Sequence, residues 1–210
     1  MVKSLGVMVM PAHINVGLVG FRGRAYVFID GGYIRGIIKN SQEGEEVLND
    51  AQKYGKFLTY LTSRYCSFSE NKVIRTLYYD AIVSMEDDPK EHREQREFFN
   101  KLQLIVSFFE VKLGDLVKSG KGGYRQKGVD TLIAIDMITK AYLDHYDVAI
   151  LVTGDRDFVN VVKAVKDYTG KIVYGVYEPA HVSEELLRVL DWKYPMRKED
   201  LQKICIELTK

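Results

Sequence analysis

The chain has 210 residues, 46% of them hydrophobic and 28% charged, with a formal net charge of +1. That length supports one hydrophobic core with short additions, and the composition excludes long disorder. With so little net charge, a nucleic-acid partner has to be held by a local patch rather than by a field over the whole surface.

Cys66 and Cys205 lie far apart, and neither they nor His13, His92, His145 and His181 stand at metal-ligand spacing. A disulfide framework and a zinc site are therefore not expected, which suits a reducing cytoplasm. At the N-terminus an apolar run from Leu5 to Met10 follows Lys3, but Pro11, His13 and Asn15 break it before any clean cleavage site. Residues 1–22 read as an extension rather than a signal peptide. No later segment approaches the ~20 apolar residues of a membrane span.

Residues 24–30 form the first clear strand, nearly continuous in apolar character and ending on Asp30. Gly31 and Gly32 predict an exit turn, with a helix over residues 33–39. Residues 45–64 space Val47, Leu48, Ala51, Tyr54, Phe57, Leu58 and Leu61 for one apolar helical face, and Cys66 reads as a plain buried thiol. A second strand is predicted over 73–81. Asp87, Asp88 and Pro89 open a charged, solvated helix over 90–102. A third strand is predicted over 105–113.

Residues 118–127 follow, with Lys118, Lys121, Arg125 and Lys127, three glycines, Tyr124 and no acid. Cations on a glycine-rich segment suit contact with phosphates, and Tyr124 offers a ring on which a base can stack. The segment lacks the lysine-and-hydroxyl ending of a P-loop. Gly128 and Val129 then lead into a helix in which Asp130 falls at the first turn, a capping position by default. Asp136, inside the same apolar helix, needs a partner or has to face solvent.

Residues 148–152 read as a strand buried on both faces, as in the middle of a parallel sheet. Thr153, Gly154, Asp155, Arg156 and Asp157 follow it. Taken alone, Asp155 is a helix cap. A further strand is predicted over 171–177, then a helix over 183–190 capped by Ser183, then a short amphipathic helix over 198–208 that docks on the domain or on a second copy.

Strands alternating with helices predict a mostly parallel sheet of about five strands with helices on both faces. In such a sheet the strand tips share an edge, and ligands bind there. Asp30, Asp155 and Asp157 meet at that edge, with Asp130 at a neighbouring helix start. Crowded carboxylates must share protons or bind a cation, and oxygen-only ligands favour Mg²⁺ or Mn²⁺.

Phe28-Ile29-Asp30-Gly31-Gly32-Tyr33, Lys127-Gly128-Val129-Asp130 with Ala134-Ile135-Asp136-Met137, and Thr153-Gly154-Asp155-Arg156-Asp157-Phe158 resemble the NYN domain. More narrowly they resemble its LabA-like (DUF88) branch within the PIN-like nuclease superfamily. The segments 170–173 and 183–186 fit that branch too, and the likeness spans roughly 24–195. It implies a three-layer α/β/α PIN-like domain over 23–195, followed by a C-terminal helix at 196–210. It also implies a Mg²⁺- or Mn²⁺-dependent ribonuclease with Asp30, Asp130, Asp155 and Asp157 as metal ligands and catalytic residues. Asp136 and Thr153 are supporting positions, with Thr153 placed to touch a phosphate. Lys121, Tyr124, Arg125 and Lys127 are the expected contacts to single-stranded RNA. A homodimer through the C-terminal helix or the N-terminal extension is compatible with the same likeness. One position departs: many NYN domains carry Asn three residues after the first Asp, where this chain has Tyr33. The rival reading is a non-catalytic NYN domain that binds RNA or protein. A haloacid-dehalogenase-type phosphatase is disfavoured, because Gly32 stands where its second Asp would.

Overall fold

The sheet is built outward from Arg24–Asp30 (β1) and Val148–Val152 (β5), two adjacent parallel strands that pair Ala25 with Val148 and Ile29 with Val152. A computed structural model describes residues 23–67, 71–118 and 124–210, without the side chain of Arg125. The predicted extension over 1–22 lies outside the described residues, as does Lys121.

Successive side chains on a strand point to opposite faces, so a strand covered on both sides must be apolar throughout. In β1, Ala25, Val27 and Ile29 enter one core and Phe28 the other; in β5, Val148, Ile150 and Val152 face Ala149 and Leu151 in the same way. On one face lie Gly31–Ile38 (α1), Gln42–Asn49 (α2), Ala51–Leu61 (α3) and Pro89–Ile105 (α4). On the other lie Val129–Tyr142 (α5), Val159–Thr169 (α6) and Glu184–Val189 (α7). The C-terminal helix Lys198–Thr209 (α8) seats Leu201 and Cys205 in the first core, against α2 and α3. The result is the predicted three-layer α/β/α architecture.

Among the described residues the strands number seven rather than about five. Their order is β4-β3-β2-β1-β5-β6-β7, adding Lys72–Val83 (β2), Phe109–Lys118 (β3), Tyr124–Lys127 (β4), Ile172–Tyr177 (β6) and Trp192–Pro195 (β7). Only β4 is antiparallel, folding back on β3 as a hairpin. From β1 the chain winds outward to β2 and β3, then crosses through α5 to β5 and winds the other way. The switch point therefore lies between β1 and β5, where a cleft opens at the carboxyl ends of the strands.

Local chemistry moved several boundaries. Asp30 caps α1 directly, so Gly31 and Gly32 are its first turn rather than a separate exit turn. The predicted 45–64 helix is divided at Asp50, whose carboxylate accepts the Gln52 and Lys53 N–H groups and starts α3 afresh. The third strand begins at Phe109 rather than at 105. α4 runs on to Ile105, and Phe108 takes a left-handed φ of 55° that turns the chain into β3. Gly128, at φ 86°, makes the corresponding bend between β4 and α5.

The cap on α7 is as expected: Leu186 N donates to Ser183 Oγ at 3.1 Å. Ser183→Ala should lower stability by about 1 kcal/mol, read as a fall in melting temperature of roughly 2–4 °C. An unchanged melting temperature would show that the cap contributes nothing. No helix among the described residues is long and apolar enough to cross a membrane.

Candidate acidic site at the sheet edge

Asp30 occupies the tip of β1. Its Oδ1 accepts the Tyr33 N–H at 3.0 Å, which caps α1, and its Oδ2 accepts the Thr153 hydroxyl at 3.0 Å. The first bond is a consequence of a strand running straight into a helix, whose free N–H groups need an acceptor. The second joins β1 to β5 across the switch point. Thr153 itself is buried, and its hydroxyl donates to Asp30.

Past Gly154, Asp155 caps the short 3₁₀ turn Arg156–Phe158 by accepting the Asp157 N–H at 2.9 Å. Asp130 projects from the first turn of α5. Asp30, Asp130 and Asp155 line one cleft of about 380 Å³ together with Gly32, Tyr33, Gln126, Gly154 and His181. Asp157 opens instead onto a neighbouring hollow of about 430 Å³, which Asp130 also lines. The tight 3₁₀ winding puts it on the shoulder of the cleft. A larger hollow of about 590 Å³, between α3 and α4, lies away from these acids.

The acids feel one another. Burial pushes the Asp30 carboxyl up to about 6, against the hydrogen bonds from Tyr33 and Thr153, with the charges of Asp130 and Asp80 adding to the rise. Burial also raises Asp130, followed by the charges of Asp155 and Asp157. A cleft whose carboxylates disfavour their own ionisation is one that a cation would relieve. The donors are all oxygens, which fits a hard divalent ion. Among the described residues no three His, Cys, Asp or Glu side chains form a ready-made metal cage.

The other expected residues divide. Asp136 has its own partners, accepting the Tyr79 hydroxyl at 2.8 Å and pairing with Lys140 at 3.4 Å and Lys112 at 3.8 Å, and it does not line the cleft. Tyr124 and Lys127 are exposed on the β4 edge strand.

Gln126, between them, reaches the cleft. Its amide packs over Gly32 and donates to Asp80 Oδ1 at 3.3 Å. Asp80 is a buried acid of β2 that sequence reasoning passed over as strand interior. It also accepts the Tyr78 hydroxyl at 2.8 Å and pairs with Arg35 at 3.3 Å. His181 lines the same cleft, and buried Glu178, just past the end of β6, lies behind it. No motif distinguishes these three; the one available signal was that Glu178 directly follows a predicted strand, as Asp30 ends one.

A doubly wound sheet with carboxylates gathered at its switch point defines a class of α/β proteins that place ligands at this edge. Within it, the chain belongs to the NYN family: the NYN domain model matches residues 24–195, which makes the protein a member of the PIN-like nuclease superfamily. NYN domains are typically nucleases, and those nucleases act on RNA. The fold is similar to the crystal structure of a protein of unknown function from Vibrio parahaemolyticus RIMD 2210633. The two share 22% identity and a TM-score of 0.53, over 84% of this chain and 94% of the other. A chain from work on the mechanism and regulation of Sir2 enzymes aligns over 89% of this chain and 92% of its own. At 13% identity and a TM-score of 0.32, that likeness carries no argument. No curated protein matches the chain.

Proposed function

We propose that the protein is a Mg²⁺- or Mn²⁺-dependent endoribonuclease of the LabA-like branch. The observation that carries this reading is the convergence of Asp30, Asp130 and Asp155 on one cleft at the switch point of an NYN fold. Asp30 and Asp155 are the principal ligands, each held in place by its own capping bond, with Asp130 and Asp157 as further ligands or water-orienting groups. A bound divalent ion supplies Lewis-acid polarisation of the phosphate and a more acidic water.

The protein's own groups do the rest. The capping bonds hold Asp30 and Asp155 still, so little reorganisation is needed when charge develops on the phosphate. Asp130, with its raised proton affinity, accepts the proton of the attacking water. The Gln126 amide lines the path of the strand, while Tyr124 and Lys127, with Lys121 and Arg125, hold bases and backbone. A groove of this size suits single-stranded RNA. A second copy of the chain is the remaining partner this reading includes.

Purified protein should cleave labelled RNA with Mn²⁺ or Mg²⁺, stop on chelation, and lose cleavage in Asp155→Asn. Cleavage that survives in Asp155→Asn would sink the mechanism. Binding without cleavage, across several RNAs and both metals, would instead identify a non-catalytic RNA-binding NYN domain.

A further inference from the structure

The acid cleft has one rim unlike the others. Ionised carboxylates only accept hydrogen bonds, and the Gln126 amide does not give up a proton. A phosphodiester that breaks must still protonate the oxygen that leaves. Packed against Gly154, the loop after β6 carries the group suited to this.

Glu178 is buried at the tip of β6, and His181 Nδ1 lies 2.5 Å from its Oε2. The same carboxylate oxygen accepts the Ala180 N–H at 2.9 Å, and the His181 N–H donates to the Glu178 carbonyl at 3.0 Å. The turn is also fastened to the site. Glu178 N donates to the Tyr33 hydroxyl at 2.8 Å, and Tyr33 N donates to Asp30. On its other side, Ser183 N donates to the Gly154 carbonyl at 2.9 Å. A buried carboxylate on Nδ1 fixes the ring's orientation and leaves Nε2 as the free nitrogen. The ring is more than half exposed and lines the cleft.

We infer that His181 is the proton donor to the leaving oxygen, with Glu178 and Tyr33 as its positioning residues. This rests on the proposed nuclease reading. In the step, the water oxygen bonds to phosphorus and its proton passes to Asp130. The bond from phosphorus to the leaving oxygen breaks, and its electron pair stays on that oxygen, which takes the Nε2 proton. His181 retains the Nδ1 proton shared with Glu178, and solvent returns the other proton to Nε2. Tyr33 acquires a role as well: it ties the β6 turn to the residue at the centre of the acid set.

The test is His181→Gln on two kinds of substrate in Mn²⁺. One is all-oxygen RNA; the other carries a single bridging sulfur at the cleaved position, prepared in both the 3′ and 5′ bridging forms. Thiolate leaves without a proton. His181→Gln should therefore lose about 100-fold or more in kcat on oxygen RNA, yet cleave the sulfur substrate in one bridging form within a few-fold of wild type. Glu178→Gln should lose about 10-fold, with the same recovery on sulfur. Equal losses on both substrates, or no loss on either, would overturn the assignment while leaving the nuclease reading intact. A wild-type protein that cleaves neither substrate would overturn both. Melting temperatures of the variants within 2–3 °C of wild type exclude misfolding as the cause, and His181→Asn provides a second exposed-site variant if His181→Gln fails this check.

Discussion

Asp30→Asn is expected to make the metal-free protein more stable at pH 7.5 and, in the same variant, to reduce metal-dependent cleavage at least about 100-fold. The activity loss follows from position, since even groups behind metal ligands are worth about 10–100-fold. The stability gain follows from the raised carboxyl. A folded value of about 6 against the ordinary 3.8 means that the folded protein holds this proton more tightly than the unfolded chain. The stabilising effect of that proton is fully present below 3.8 and is lost as pH rises through 6. Above it, the buried charge costs about 3 kcal/mol. Asparagine removes that cost and still accepts the Tyr33 N–H as a cap. In chelator, the melting temperature of the variant should exceed that of wild type by roughly 5 °C or more at pH 7.5, with the gap closing by about pH 4. Adding Mn²⁺ should raise wild type and leave the variant unchanged. A variant no more stable than wild type at pH 7.5 would show that Asp30 is not strained by its charge.

Gly154→Ala should be the most damaging single-methyl change at the site. A Cβ at this position would lie 1.7 Å from the His181 carbonyl oxygen, 2.8 Å from its carbon and 2.9 Å from Val182 Cα. All three are backbone atoms, so no side chain can swing aside. The loop is also held here by the bond from Ser183 N to Gly154 O. Either this loop or the Asp155 turn must move, at a cost of about 3 kcal/mol. A fall in melting temperature of roughly 6–12 °C is the expected readout in a thermal melt. A fall under 2 °C would mean that the two segments are not in rigid contact. Even folded, the variant should cleave poorly, since Asp155 and His181 lie on the segments that are forced apart.

Much of this arrangement was legible in the residues. Strands buried on both faces announce themselves by unbroken apolar runs, as β1 and β5 do, and the acid that ends β1 and those in the turn after β5 then fall at one edge. The edge strands were not legible for the converse reason. Tyr124-Arg125-Gln126-Lys127 has almost nothing to bury, so neither apolar run nor alternation betrays β4. Trp192–Pro195 is four residues ending in proline, which suits only an edge such as β7. Apolar residues misled where they were not core: Ile105 and Phe108 suggested a strand but stand exposed at a helix end and a left-handed turn. Asp80, Glu178 and His181 are joined to the site only by folding. Asp80 is held by Tyr78 of its own strand, by Arg35 of α1 and by Gln126 of β4, and the Glu178–His181 turn is tied to the site through Tyr33, so no local spacing places the three at the cleft. Asp157 was ambiguous because its aim depends on how tightly the Asp155 turn winds, and a 3₁₀ turn sends it outward.

The opposite end of the sheet offers a contrast with a consequence for assembly. There Arg24 pairs with Asp144 at 3.0 Å and Asp147 at 2.9 Å, and Lys171 also pairs with Asp144, so charge is cancelled where the strands begin. Where they end, Asp30, Asp130, Asp155 and Asp157 are joined by Asp80, which Arg35 pairs at 3.3 Å, and by Glu178. The net charge of +1 conceals a local gathering of carboxylates at this edge. On the proposed reading, this imposes an order of events: a polyanion meets repulsion at this end until a cation has docked, so the ion is the first ligand and the nucleic acid the second.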